Sequence, residues 1–371
     1  MKILYIVHDL HDSAVARRVR MLREGGADIS VAGFRRLENL PAEVAGAGVI
    51  DLGLTRDARL AHRALAVLKH TVMPGKLMAA ARDADVIIGR NLEALALALR
   101  IRRANPAAAI VYECLDIHRM LLGRSLPARL VQGIEQTLLA GVDLLLTSSP
   151  AFLREYFSGR PGMAAPALLL ENKLLRLDSA PPVSIASPPG RPWVIAWFGM
   201  LRCTRTFEIL AGLARRYEGR VQIRVAGRPS PAIFPDFGQQ IASVPHMHYL
   251  GPYRSDELPQ LYAGCHFAWA IDYFEEGLNS RWLLPNRLYE AAAFGVIPIA
   301  LGSVETGRWL RERDAGLVVD DALEGLEVLE TLDSGRVATL AAGVAAIPQG
   351  DLIATRVDCD ALVRALEAAR R

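Results

Sequence analysis

Short runs of consecutive apolar residues alternate with segments of helical period along most of the chain. The runs at 3–7, 29–32, 85–88, 109–112, 143–147 and 167–170 are apolar on both faces, as buried parallel strands are. Amphipathic stretches with helix start and stop signals lie between them. The stretch 14–24 stops at Gly25-Gly26, and 91–103 stops at Asn105-Pro106. The same rhythm resumes at 193–198, 221–226, 246–250, 265–270, 296–300 and 316–319. Between the two series, 178–192 is rich in Pro and Ser and reads as a linker. The last stretch, 351–371, predicts an amphipathic helix with Val357, Leu362, Val363 and Leu366 as its buried side.

The pattern predicts an α/β protein of two Rossmann-like, doubly wound domains with a cleft between them. The expected parts are 1–177, the linker 178–192, a second domain at 193–350, and a closing helix at 351–371. Ligands of such sheets bind outside the carboxyl ends of the strands, so site residues are expected just after strands.

Composition narrows the class. A length of 371 residues exceeds one ordinary core, and 51% hydrophobic with 22% charged residues is a globular balance. The four cysteines show no C-x-x-C spacing, which argues against a zinc site or a disulfide framework and suits a reducing compartment. The first apolar run is closed by His8 and Asp9, too early for a signal peptide, and no uninterrupted apolar stretch reaches the ~18 residues of a membrane span. The expectation is a cytoplasmic protein, or one peripheral on the inner face of the plasma membrane. Charge is uneven: 23 Lys and Arg against 17 Asp and Glu through residue 175, then 20 against 23. A basic first half suits an anionic ligand or surface.

The most informative stretch is 285–298, which opens Pro285-Asn286-Arg287-Leu288-Tyr289-Glu290 and closes Gly295-Val296-Ile297-Pro298. On a helix, Arg287 and Glu290 share a face. Near a helix start, free N–H groups and the dipole attract phosphate, and Arg287 adds paired donors. Glu290 can accept from two sugar hydroxyls. The bland alternative is a helix ion pair contributing ~0.2–0.5 kcal/mol. The position after a strand favours the site, and Asn279 or Asn286 is expected to cap the helix. Earlier in this half, a strand runs into Gly199-Met200-Leu201-Arg202-Cys203-Thr204-Arg205-Thr206. A Gly past a strand admits a ligand to the backbone, and Arg202 and Arg205 follow it. They are either two solvated arginines or two cations at a binding mouth.

In the first half, the run 109–112 leads into Glu113, Asp116 and His118. Asp116 or His118 can serve as a general base toward an acceptor hydroxyl, and the residues leave both open. The alternative is a polar loop in which Asp116 caps the next helix. After the first run, His8, Asp9 and Asp12 are candidates for binding acceptor hydroxyls, although Asp12 also suits a helix cap. A basic amphipathic tract at 55–82, with Arg56, Arg59, Arg63, Lys69, Lys76 and Arg82, is either a solvated helix face or a contact with an anionic membrane. G-x-G-x-x-G is missing after the first strand, which counts against a dinucleotide enzyme.

With these residues in place, the chain resembles the GT-B glycosyltransferases of the family 4-like superfamily over nearly its whole length. Gly199 to Thr206 is similar to the G-x-L-x-x-x-K-G loop, with Leu201 kept, Arg205 at the Lys position and Thr206 at the second Gly. Segment 285–298 is similar to the P-N-K-L-x-E-Y-x-A-x-G-x-P element, with Arg287 for Lys. The resemblance implies that Arg205 and Arg287 hold a donor diphosphate and that Glu290 holds the ribose. One departure stands out: where many retaining members carry the first Glu of E-x7-E, this chain has Trp282. Bacterial exopolysaccharide enzymes of the ExoL and xanthan glucuronosyltransferase kind are closer to this pattern.

The reading that follows is a glycosyltransferase carrying a sugar from a nucleotide-sugar, UDP by resemblance, to a glycan or lipid-linked acceptor. Donor contacts are expected from Gly199, Arg202, Arg205, Asn279, Asn286, Arg287 and Glu290. Acceptor contacts are expected from His8, Asp9 and Asp12, with Asp116 or His118 as the base. No cofactor, metal or nucleic acid is expected; neither D-x-D triplet of the chain, Asp83-Ala84-Asp85 or Asp358-Cys359-Asp360, suggests the metal-dependent fold of the other common type. A nucleotide-sugar epimerase of the same fold and a non-catalytic nucleotide-sugar-binding scaffold are the alternatives.

Overall fold

A computed structural model describes residues 1–55, 75–178, 190–323 and 325–370. Residues 179–189 of the expected linker and 56–74 of the basic tract lie outside the described residues. The chain divides into two compact units. The first comprises Met1–Glu171, Leu175–Leu177 and Ala354–Arg371; the second comprises Asn172–Leu174 and Asp178–Ile353.

The first unit is built on a sheet of β1 (Lys2–Val7), β2 (Asp28–Arg35), β3 (Glu43–Val44), β4 (Ala47–Leu54), β5 (Val86–Arg90), β6 (Ala109–Cys114), β7 (Leu144–Thr147) and β8 (Ala167–Leu169). Their spatial order is β3-β4-β2-β1-β5-β6-β7-β8. Ile3 of β1 sits opposite Ile29 of β2 and Val86 of β5, both in parallel register. The β3–β4 pair is antiparallel. Strand order reverses beside β1, so the carboxyl ends of β1 and β5 define the crevice where such sheets take ligands.

Two short strands, β9 (Leu174–Leu175) and β16 (Ile353–Ala354), pair with each other. The second unit holds β10 (Trp193–Leu201), β11 (Val221–Pro229), β12 (Met247–Tyr249), β13 (Phe267–Trp269), β14 (Ile297–Leu301) and β15 (Leu317–Val319), in the order β12-β11-β10-β13-β14-β15. Here the reversal falls between β10 and β13. Trp193, Trp197 and Trp269 are fully buried in this core. Each such aromatic removes about 150–250 Å² from water, on the order of 4–6 kcal/mol before entropy is charged against it.

The closing helix is Arg356–Ala368 and belongs to the first unit. Thr355 and Asp358 form a capping box at its start. Cys359, Leu362, Val363 and Leu366 are buried with Val15, Val19 and Leu22 of the helix Ser13–Glu24. Val357, expected on the buried side, is instead 71% exposed. The helix starts at 356 rather than 351, so its apolar face is set by Cys359, and 357 points away from it. Among the described residues no helix is long and apolar enough to cross a membrane.

Candidate functional site

In the second unit, Gly199 lies inside β10 rather than beyond it, because the strand continues to Leu201. Gly199 has φ +119° and its neighbour Gly227 on β11 has φ +133°. A Cβ at Gly227 would meet the Gly199 carbonyl oxygen at 1.8 Å, so the two strands need glycine for this approach. A Cβ at Gly199 would meet nothing within 4 Å, so its other side is open.

The chain then turns through Arg202 into the helix Thr204–Arg216, whose start is capped by Cys203 Sγ accepting from the Thr206 N–H at 3.4 Å. Arg205 sits in the first turn. Its guanidinium lies over the Tyr273 ring at 4.2 Å and is ion-paired with Glu276. Arg202 lies over the Phe274 ring at 4.1 Å. Arg287 is on the helix Asn286–Ala293, where its Nη2 donates to the Ile271 carbonyl at 3.3 Å and lies 3.7 Å from Asp272 Oδ2. Its buried Nε has no hydrogen-bond partner among the described residues.

The three arginines therefore converge on one short segment, 271–276, at the carboxyl end of β13. That segment carries Asp272 and Glu276, which sequence reasoning missed. Their place directly after a buried strand beside the strand-order reversal was the available signal. Glu290 is on the same helix as Arg287. Burial raises the Tyr253 phenol above its usual range, Glu290 raises it further, and Arg287 opposes. Tyr253 thus lies within electrostatic reach of both ends of the sequence motif.

Neither asparagine caps this helix. Pro285 holds the cap position without a side-chain bond, Asn286 is the first helical residue, and Asn279 is buried in a separate turn, Asn279–Arg281. Pro285 fixes an extended backbone just before the helix, with φ −72°, and has no side chain that could cap it.

In the first unit, Asp12 caps the helix Ser13–Glu24 by accepting from the Ala14 N–H at 2.9 Å. Its other oxygen lies 3.3 Å from Arg90 Nη2 and 3.8 Å from His8 Nε2. Burial would raise the Asp12 carboxyl, but Arg90, His8 and the Ala14 N–H override it and hold it low. Burial holds the His8 imidazole below its usual value, with Asp12 opposing and Arg90 and Arg36 adding to the effect. Asp9 is buried, accepts from the His11 N–H at 3.0 Å and lies 3.5 Å from Arg36 Nε.

Behind this loop is a dry charge cluster that the sequence did not reveal. Glu113 is fully buried, with Arg18 Nε at 2.6 Å, Arg90 Nη1 at 3.3 Å and the Tyr5 hydroxyl donating to it. Burial alone would raise Glu113, yet the two guanidinium groups and the Tyr5 bond hold it low. Arg90 ends β5, and the next residue, Asn91, turns with φ +68° into the helix Asn91–Ile101.

Asp116 is exposed beyond the end of β6, and His118 is half-buried. His118, not Asp116, caps the helix Arg119–Leu122, its Nδ1 accepting from the Met120 N–H at 3.2 Å. A two-residue offset decides this, since the side chain of 118 abuts the first turn. With Nδ1 committed as an acceptor, the neutral ring carries its proton on Nε2 and presents a donor there.

Known proteins share the sequence and the fold of this chain. The chain is 44% identical to the succinoglycan biosynthesis protein ExoL of Rhizobium meliloti, over 99% of this chain and 93% of that protein. No protein-family model matches it. Among solved structures it is similar to Anabaena HepE in complex with UDP and glucose, with TM-score 0.72 and 16% identity over the whole of both chains. It is likewise similar to sucrose-phosphate synthase from Thermosynechococcus elongatus, with TM-score 0.72, 15% identity and complete coverage of both chains. A UDP-forming trehalose-phosphate synthase from Burkholderia xenovorans has TM-score 0.69 and 14% identity over 99% of this chain and all of that one. These likenesses give the fold, two doubly wound units of the GT-B kind.

Proposed function

We propose, for a chain that belongs to the family of the succinoglycan biosynthesis protein ExoL, that it transfers a sugar from a nucleotide-sugar to a glycan or lipid-linked acceptor in exopolysaccharide synthesis. The observation that carries the donor site is the convergence of Arg202, Arg205 and Arg287 on the segment 271–276. Cations gathered at the end of a strand suit a diphosphate, and HepE, with the same fold, is known in complex with UDP.

In this reading the diphosphate lies against Arg205, Arg287 and Arg202, and the open side of Gly199 admits it to the backbone. Glu290 accepts from the ribose hydroxyls, and Asn279 and Asn286 complete the donor surround. His8, Asp9 and Asp12 orient the acceptor. The acceptor oxygen attacks the anomeric carbon and its proton passes to a base. The bond to the diphosphate breaks, and its electron pair leaves on the diphosphate oxygen. The guanidinium charges gathered at that oxygen stabilise it as charge develops, in place of a metal. We assign the proton to Asp116, an exposed carboxylate, because the His118 Nδ1 is already committed to a backbone N–H.

The test is release of UDP from a panel of UDP-sugars with and without lipid-linked glycan acceptors, in EDTA. Release that requires acceptor is the expected result. Tight UDP binding with no turnover against any acceptor would instead make the protein a nucleotide-sugar-binding scaffold, and interconverted sugar with no acceptor would make it an epimerase.

A further inference from the structure

The helix Leu126–Leu139 is amphipathic in the reverse sense. Its buried residues are Ala128, Glu135 and Leu139. Glu135 is fully buried on that inner face, where Arg160 Nη2 at 2.5 Å and the Tyr156 hydroxyl at 2.6 Å both meet its Oε2. The outer face carries Leu126, Leu130 and Ile134, which are 80%, 68% and 47% exposed. Spaced at i, i+4 and i+8, they form one stripe roughly 12 Å long. Gly133 and Thr137 lie along the same face and add no charge.

The flanks of the stripe are basic. Arg119, Arg124 and Arg129 are all exposed, and residues 117–134 contain no Asp or Glu. The helix is held to the body of its unit at its start. Gln132 Nε2 donates to the Leu121 and Gly123 carbonyls at 3.0 and 2.9 Å, and Ser125 Oγ accepts from the Ala128 N–H.

We propose that this face docks on an anionic lipid bilayer, with Leu126, Leu130 and Ile134 in the acyl–headgroup boundary and the three arginines on lipid phosphates. An apolar stripe rimmed by cations and free of acids is complementary to that surface and to few others. A second copy of the chain fits it poorly, because a two-fold interface sets the same patch against itself and brings its arginines together. The helix Arg119–Leu122, next to Asp116 and His118, leads directly into the docking helix. The bilayer would thus lie beside the residues assigned to the acceptor, and the acceptor would be borne on a membrane lipid. That last step rests on the sugar-transfer reading; the docking surface does not. It is also a different stretch from the basic tract 55–82, for which the sequence left a solvated face and a membrane contact open.

The experiment is co-sedimentation of the full chain with vesicles of phosphatidylcholine alone and of phosphatidylcholine with phosphatidylglycerol, alongside the thermal shift produced by UDP. The wild type is expected to bind the anionic vesicles and not the neutral ones. Leu126→Ser/Leu130→Ser/Ile134→Ser should weaken that binding at least tenfold, roughly what losing two or more buried methylenes costs. Arg124→Gln/Arg129→Gln should weaken it by about thirtyfold, from about fivefold per cation. The UDP shift should be unchanged in both. Wild type that ignores both vesicles, a triple variant that binds as wild type does, or a wild-type dimer that the triple substitution dissociates would each overturn the proposal. A missing UDP shift with vesicle binding intact would overturn the donor reading and leave this one standing.

Discussion

Both units set arginines beside acids, and they do so in opposite ways. In the first unit Arg18 and Arg90 are about 5% exposed and close on Glu113, which is not exposed at all. In the second, Arg205 and Glu276 meet while each is about half exposed, and Arg202 rests on an aromatic face. The first arrangement is dry, with both guanidinium groups closed on one buried carboxylate, so its charges are committed. The Arg205–Glu276 pair is wet and loosely held, so its charges can change partners, while Arg287 beside it is only 12% exposed. Identical residue types thus build a scaffold in one place and a reception site in the other, and solvent is what separates the two.

Glu113→Ala is the sharpest way to break the comparison, because it takes from the buried Arg18 the carboxylate at 2.6 Å and leaves Arg90 with Asp12. Loss of one partner of a buried ion pair costs about 3–5 kcal/mol. Chemical denaturation should show that loss, and a change below about 1 kcal/mol would mean the cluster is no scaffold. Arg287→Ala should act on binding instead. Removing a charge-assisted contact of about 1.5–3 kcal/mol predicts UDP affinity weakened by about ten- to a hundredfold in titration calorimetry. Equal UDP affinity in variant and wild type would refute the donor assignment.

The His8 environment gives a smaller, pH-dependent effect. Its folded-state value is lowered from 6.5, so the native state binds fewer protons than the unfolded chain as pH falls through that range. Stability therefore falls on acidification below about pH 6.5, with a slope of at most ~1.4 kcal/mol per pH unit. His8→Gln should flatten that limb of a melting-temperature profile; an unchanged limb would assign it to another group. Smallest is Glu276→Gln. An exposed pair contributes ~0.2–1 kcal/mol, and if phosphate replaces Glu276 at Arg205, UDP binding should tighten by no more than a few-fold. Weaker binding would show that Glu276 contacts the donor itself.

Much of this molecule was legible in the chain because parallel strands buried on both faces leave continuous apolar runs. β1, β5, β6, β10 and β13 all stand where those runs stand. β4 was not legible: Gly48 and Gly53 interrupt Ala47–Leu54, and part of its surface faces solvent. In the site, Arg287 and Glu290 could be read because helical spacing joins them. Tyr5, Arg18, Arg90 and Glu113 could not, since 85 and 108 residues separate Tyr5 from its partners Arg90 and Glu113, and it takes the parallel register of three strands, with the helix Ser13–Glu24 packed beside them, to bring the four together. Asp116 and His118 were both visible, but two residues of offset decided which one meets the helix start.

The helix Arg356–Ala368 carries a consequence for how the chain comes into being. It is synthesised after the whole of the second unit, yet its Cys359, Leu362, Val363 and Leu366 cover Val15, Val19 and Leu22 near the beginning. During translation those early side chains stay without their lid until the whole second unit has left the ribosome. The first unit begun is the last one finished.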